Sequence, residues 1–158
     1  ALDLKIDMKT IQKTLPLLSF EGRFQYLNKG KIKKKLHKNE IIMIDGAHAI
    51  ADAKNLAAYL EEIKIPKYGI WAMTKNKEPD LFIKQLKGVF KKIVTMPIEN
   101  ELSSVSASKL YKIAIKNKLK AEKSDNFLEA LNKIRSKEKK LIVCFGSLYN
   151  CGNILNKN

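Results

Sequence analysis

The chain has 158 residues, 45% of them hydrophobic, with two cysteines and a formal charge of +15. That length fits one domain with a sizeable core, and Cys144 and Cys151, seven residues apart, exclude a disulfide framework or a zinc quartet. No apolar run approaches the ~20 residues of a membrane span, and the opening ALDLKIDMKT lacks the apolar centre of a signal peptide, so a reducing cytoplasmic setting, a monomeric state and no membrane partner are expected.

In chain order, FEGRFQYL (20–27) and KIKKKLHK (31–38) alternate in a strand-like way around NKG, which predicts an N-terminal β-hairpin closed by Gly30. IIMID (41–45) is a short apolar run of the kind found in strands covered on both faces. An amphipathic helix follows, with Ile50, Ala53, Leu56, Ala57, Leu60 and Ile63 inward. YGIWAM (68–73) predicts the next strand, and Pro79 opens a helix that buries Leu81, Phe82 and Leu86. KKIVTM (91–96) predicts a strand. A helix capped by Ser104 or Ser106 then buries Leu110, Ile113 and Ala114. KLKAEK (118–123) reads as one more short strand, and the helix after Ser124 and Asp125 buries Leu128, Leu131 and Ile134. LIVCFG (141–146) is the last strand. Strands alternating with helices predict an α/β fold, a three-layer Rossmann-like single domain over 1–158 whose mostly parallel sheet carries helices on both faces.

In such a sheet ligands bind beyond the carboxyl ends of the strands. MIDGAHAIADA (43–53) places Asp45, Gly46 and His48 at such an end, where Gly46 permits an unusual turn and the following helix offers N–H groups to an anion. His48 can donate to a phosphate or carboxylate, and Asp45 can accept from sugar hydroxyls or orient the imidazole. The polar stretches TKNKEP (74–79) and GSLYNCG (146–152) follow later strands, so Lys77, Gly146 and Ser147 are expected on the same rim. No GxxxxGK[ST] phosphate cradle, HExxH, GxGxxG or nucleophile-elbow set is present. The domain therefore reads as a contributor to catalysis whose other half lies elsewhere.

The charge has a plainer reading than a nucleic-acid partner. Of 31 Lys and Arg, only Arg23 and Arg135 are arginines, and the lysines are spread along the whole chain rather than interleaved with aromatics. That is a solvated surface, without the guanidiniums and stacking rings that nucleic-acid sites use.

Four stretches together resemble a known family, the C-terminal domain of folylpolyglutamate synthase and dihydrofolate synthase within the Mur ligase superfamily. FEGRFQYL is similar to its W-P-G-R-x-Q segment, IDGAHAIADA to its D-G-A-H-N-P-x-A turn, MTKNKEP to its Lys-acid-Pro loop, and FGSLYNCGNIL to its closing G-S-L-Y-L-x-G. Ala49 and Ile50 replace the family's Asn-Pro, Phe20 its Trp and Glu21 its Pro. The resemblance implies an ATP-dependent ligase that activates a dihydropteroate or folate carboxylate as an acyl phosphate and joins it to L-glutamate. It further implies that Arg23 contacts the ATP phosphates, Asp45 the ribose, and His48 the phosphate or the glutamate, with Lys77 and Ser147 lining the substrate. ATP and Mg are the implied cofactors, the metal being held mainly by an N-terminal ATPase domain outside this chain. That domain is the implied partner, and the isolated chain is expected to be inactive. The chain begins at Ala1 without an initiator Met, which fits a piece of something longer. Two other readings stand beside this one: the C-terminal domain of a peptidoglycan-precursor Mur ligase, whose turn typically reads D-Y-A-H, and a non-enzymatic basic module that binds nucleic acid.

Overall fold

A computed structural model describes residues 20–158 together with Asp7 and Lys9. The reading of the opening ten residues as lacking a leader otherwise falls outside the described residues. Strands β1 (Gln25–Tyr26), β2 (Glu40–Asp45), β3 (Lys67–Trp71), β4 (Lys92–Thr95), β5 (Ala121–Lys123) and β6 (Lys140–Phe145) form one sheet in the order β1-β2-β6-β3-β4-β5. Helices α1 (Lys31–Lys35), α2 (Ile50–Glu61), α3 (Pro79–Lys84), α4 (Ala107–Lys116), α5 (Phe127–Ile134) and α6 (Leu148–Lys157) connect and follow them. Every pairing is parallel except β1 with β2.

The two faces of β6 separate the core into two halves. Leu141, Val143 and Phe145 pack with Leu56 and Leu60 of α2, Phe82 of α3 and Leu110 of α4. Ile142 and Cys144 pack with Phe127 and Leu131 of α5, Ile154 of α6 and Ile32 of α1. This alternation within a strand buried on both sides explains its unbroken apolar run.

Most expected elements are present, with four corrections. Residues 31–38 do not form the second arm of a hairpin. Ile32 and Leu36 lie four apart and both meet the α5–α6 core, so a helical period accounts for the segment better than a period of two. The partner of β1 is β2, through Gln25 opposite Ile44 and Tyr26 opposite Met43. In α3, Phe82 and Ile83 are inward while Leu81 is 43% exposed; in α5, Phe127 takes the inward place expected of Leu128, which is 40% exposed. The remaining expected positions, Phe82, Leu86, Leu131 and Ile134, are buried, so only the outermost residue of each stripe differs. The cap of α5 is Asn126, which accepts from the Glu129 amide, and that of α4 is Ser106. Finally, 146–152 is not a loop: helix α6 begins at Leu148 and runs through Cys151 and Gly152.

Candidate functional site

The strand order creates the opening in which the site lies. Asp45 and Phe145 are register neighbours at the ends of β2 and β6, yet α2 then packs on one face of the sheet and α6 on the other. Diverging connections after adjacent parallel strands leave a crevice at that point.

The β2–α2 turn is built by hydrogen bonds from its own acids. Asp45, 1% exposed, accepts from the Ala47 amide through Oδ1 at 2.7 Å and from the Phe24 amide through Oδ2 at 2.8 Å. Burial pushes its carboxyl above the ordinary value, against those two donors and the nearby Arg23 charge. The Gly46 amide donates to the Gly22 carbonyl at 2.6 Å, so the loop carrying Arg23 is laced to the Asp45 turn at two points. Gly46 is required by this close approach rather than by an unusual φ: a Cβ there would run into the Leu148 side chain and lie 3.3 Å from the Gly22 oxygen. Gly146 differs. Its φ is +106, and a Cβ would collide with the Ala72 carbonyl, so only glycine suits the exit from β6.

His48 donates through Nδ1 to the Gly46 carbonyl at 2.7 Å. That bond selects the Nδ1–H tautomer of the neutral ring and leaves Nε2 as the available nitrogen. The amides just before α2, expected to face a ligand anion, are engaged within the protein. Those of His48 and Ala49 donate to Asp52 Oδ2 at 3.1 and 3.2 Å, and that of Ala47 goes to Asp45. Arg23 Nη1 lies 3.9 Å from the same Asp52 oxygen. Burial pushes the Asp52 carboxyl up, but the two amides and the charges of Arg23 and His48 outweigh it and hold the group below its ordinary value. Asp52 was not singled out by the sequence reading. Its only signal is an acid three residues after the cap position, the returning half of a capping box.

Arg23, Phe24, Asp45, Asp52 and Asn55 line one cleft of ≈ 270 Å³. His48, Thr74, Asn76, Lys77, Ser103, Ser147, Leu148 and Tyr149 line a second, of ≈ 350 Å³. His48, Asn76 and Lys77 also face a third, of ≈ 390 Å³. The structure thus brings His48, Lys77 and Ser147 to one cleft and Arg23 and Asp45 to another, with His48 and Asp52 at the junction of the two groups. Ser147 is buried and caps α6 by accepting from the Tyr149 amide at 3.2 Å. Thr74, Asn76 and Ser103 escaped the sequence reading, since small polar loop residues carry no period, and Tyr149 escaped it because the start of α6 read as a loop.

Neither thiol is suited to nucleophilic chemistry. Burial pushes Cys144 well above the ordinary range and Cys151 up to about 12, the latter aided by Asp45. Among the described residues no group of three or more His, Cys, Asp or Glu could hold a metal ion. Among the described helices none is long and apolar enough to cross a membrane.

Residues 28–157 match the model of a protein family described as dihydrofolate synthetase, C-terminal domain. The chain belongs to this family. The match begins just after Arg23, so the Arg23 loop is compared through structure alone. Escherichia coli FolC in complex with ADP superposes with a TM-score of 0.76 at 16% identity, over 98% of this chain and 35% of that one. Mycobacterium tuberculosis folylpolyglutamate synthase complexed with ADP gives 0.80 at 17% identity, over 96% and 35%. The bifunctional folylpolyglutamate synthase/dihydrofolate synthase with Mn, AMPPNP and L-glutamate bound gives 0.76 at 17%, over 98% and 35%. At these identities the likeness is one of fold, and the chain spans about a third of each structure's length. A comparison with curated protein sequences returned no match. Membership of the dihydrofolate synthetase family bears out the family resemblance, and the match takes in three of the four stretches that carried it, all but FEGRFQYL at 20–27.

Proposed function

We propose that this domain is the nucleotide- and glutamate-facing lobe of an ATP-dependent amide ligase that adds L-glutamate to dihydropteroate or folate. The observation that carries the reading is the rim beside β2 and β6, where an imidazole and an ammonium group line one cleft and a guanidinium lines a neighbouring one, in a chain of the dihydrofolate synthetase family. The binding of ADP or AMPPNP by the solved relatives supports it.

In this reading a phosphoryl group passes from ATP to the substrate carboxylate, and the glutamate amine then displaces phosphate from the acyl carbon to leave an amide. The chain's own residues bind and orient. Arg23 faces the polyphosphate, where a planar, permanently charged donor set suits phosphoryl oxygens. Asp45 is a hydroxyl acceptor at the ribose, held rigid by its two amide donors. His48 presents Nε2, which donates to phosphate when the ring is charged and accepts from the glutamate ammonium when it is neutral. Lys77 and Ser147 line the same cleft as His48 and suit the glutamate carboxylates. ATP and Mg are the proposed cofactors, with the phosphate cradle and the metal held by an N-terminal ATPase domain, which is the proposed partner. Nucleic acid and membranes are not partners in this reading, and the setting is cytoplasmic.

The chain alone, given ATP, dihydropteroate and L-glutamate, is expected to form no ligated product, while ADP perturbs the NMR signals of Arg23 and His48. Robust turnover by the chain alone, or no response of either residue to ADP, would contradict the proposal.

A further inference from the structure

The start of α2 lacks the side chain that ordinarily secures a helix N-terminus. Its cap residue is Ala49, in extended backbone with no side-chain acceptor, whereas caps are normally Ser, Thr, Asp or Asn. Asp52 answers from the first turn. One oxygen, Oδ2, accepts from the amides of His48 and Ala49 at 3.1 and 3.2 Å. The same atom lies 3.9 Å from Arg23 Nη1 and 3.9 Å from His48 Nδ1. A single oxygen thus meets the backbone and ring of His48 and the guanidinium of a loop 29 positions upstream.

We infer that Asp52 is the positioning residue of this site: its carboxylate fixes the His48 turn and holds Arg23 against it, without itself touching the ligand.

The two kinds of contact differ in strength. Amide donors to a carboxylate make charge-assisted bonds, while the Arg23 contact is longer and both side chains are about a third exposed, 37% and 31%, which weakens an ion pair. The turn therefore depends on Asp52 more than Arg23 does. A carboxylate beside an anion also repels it, so Asp52 contributes by orientation and not by attraction. An amide oxygen at this position does the same positioning without the charge.

The test compares Asp52→Ala, Asp52→Asn and the double variant Ala49→Asn/Asp52→Ala in the same chain. Amide exchange of His48 and Ala49 and the His48 ring tautomer are read by NMR without ligand; ADP affinity is read separately. Asp52→Ala is expected to speed exchange at both amides by about tenfold or more, the effect of losing one charge-assisted bond. It also mixes the ring tautomers and weakens ADP binding roughly 3–10-fold. Asp52→Asn stays within about threefold of the parent in all three, since its oxygen still accepts. The double variant regains a helix cap and hence thermal stability, but its His48 amide remains fast; it carries the same test should Asp52→Ala fail to fold. Protected amides and an unchanged ring in Asp52→Ala would overturn the inference, as would Asp52→Asn behaving like Asp52→Ala. The ADP arm alone rests on the proposed function: failure of the parent chain to bind ADP would sink that reading and leave the ligand-free measurements decisive for Asp52.

Discussion

The two ends of the sheet are both rich in charge, and they use it in opposite ways. At the amino ends of the strands, Glu40 and Lys140 are buried register partners on β2 and β6. Glu40 accepts from the His37 and Ser136 amides at 2.8 and 2.7 Å. Lys140 donates to the Ile134 carbonyl and the Ser136 hydroxyl at 2.9 and 2.6 Å and lies over the Tyr68 ring, 4.4 Å from its centroid. Both groups are satisfied inside the fold, with Ser136 as a shared partner. At the carboxyl ends, Arg23, His48 and Asp52 are partly open and line clefts. Exposure and position relative to the crevice, rather than charge, separate a structural polar network from a candidate binding site.

The sharpest way to break that contrast is Glu40→Ala. Removing its carboxylate strands the His37 and Ser136 amides and takes away the acid 3.9 Å from Arg135 Nε, and chemical denaturation should show a loss of about 3–5 kcal/mol. In variant that remains folded, the ADP response of the other edge should persist. Arg23→Ala is the mirror experiment. Stability should change by less than about 1 kcal/mol, as for an exposed pair, while ADP affinity measured by calorimetry falls roughly tenfold, the worth of a charge-assisted contact. A result in which Arg23→Ala unfolds the domain and leaves ADP binding intact would erase the distinction.

The smallest effect concerns pH. Asp52 is held below the ordinary carboxyl range, so the native state binds fewer protons there than the unfolded chain does. Its contribution is complete above the ordinary Asp value and is lost as pH falls through the lowered one. Asp45 is raised and has the opposite sign: its contribution is present below the ordinary value and disappears as pH rises through the raised one. Denaturation between roughly pH 5 and pH 2 should therefore show a shallower acid-side loss in Asp52→Asn than in the parent. An unchanged slope would mean that the Asp52 contacts do not persist in solution.

What the sequence disclosed follows from the same physics. β2, β3, β4 and β6 were legible because strands covered on both faces must be continuously apolar, and α2 because its stripe of Ala53, Leu56, Ala57 and Leu60 has one period. Residues 31–38 misled because three lysines hide the fourfold spacing of Ile32 and Leu36, and α6 because Gly152 reads as a turn although it has open space around it inside the helix. Asp45, His48, Lys77 and Ser147 were found as candidates from their places after strands. Asp52 was not, since its importance depends on a missing cap at Ala49 and on a loop that folds across from Arg23. Neither is a local pattern.

The paired backbone bonds between the Gly22–Phe24 stretch and the Asp45–Gly46 turn have a mechanical outcome. The guanidinium-bearing loop is stitched to the imidazole-bearing one, so the two cannot be aimed independently. In the proposed ligase, a nucleotide approached by this lobe would meet both groups in one stroke, at a spacing already set.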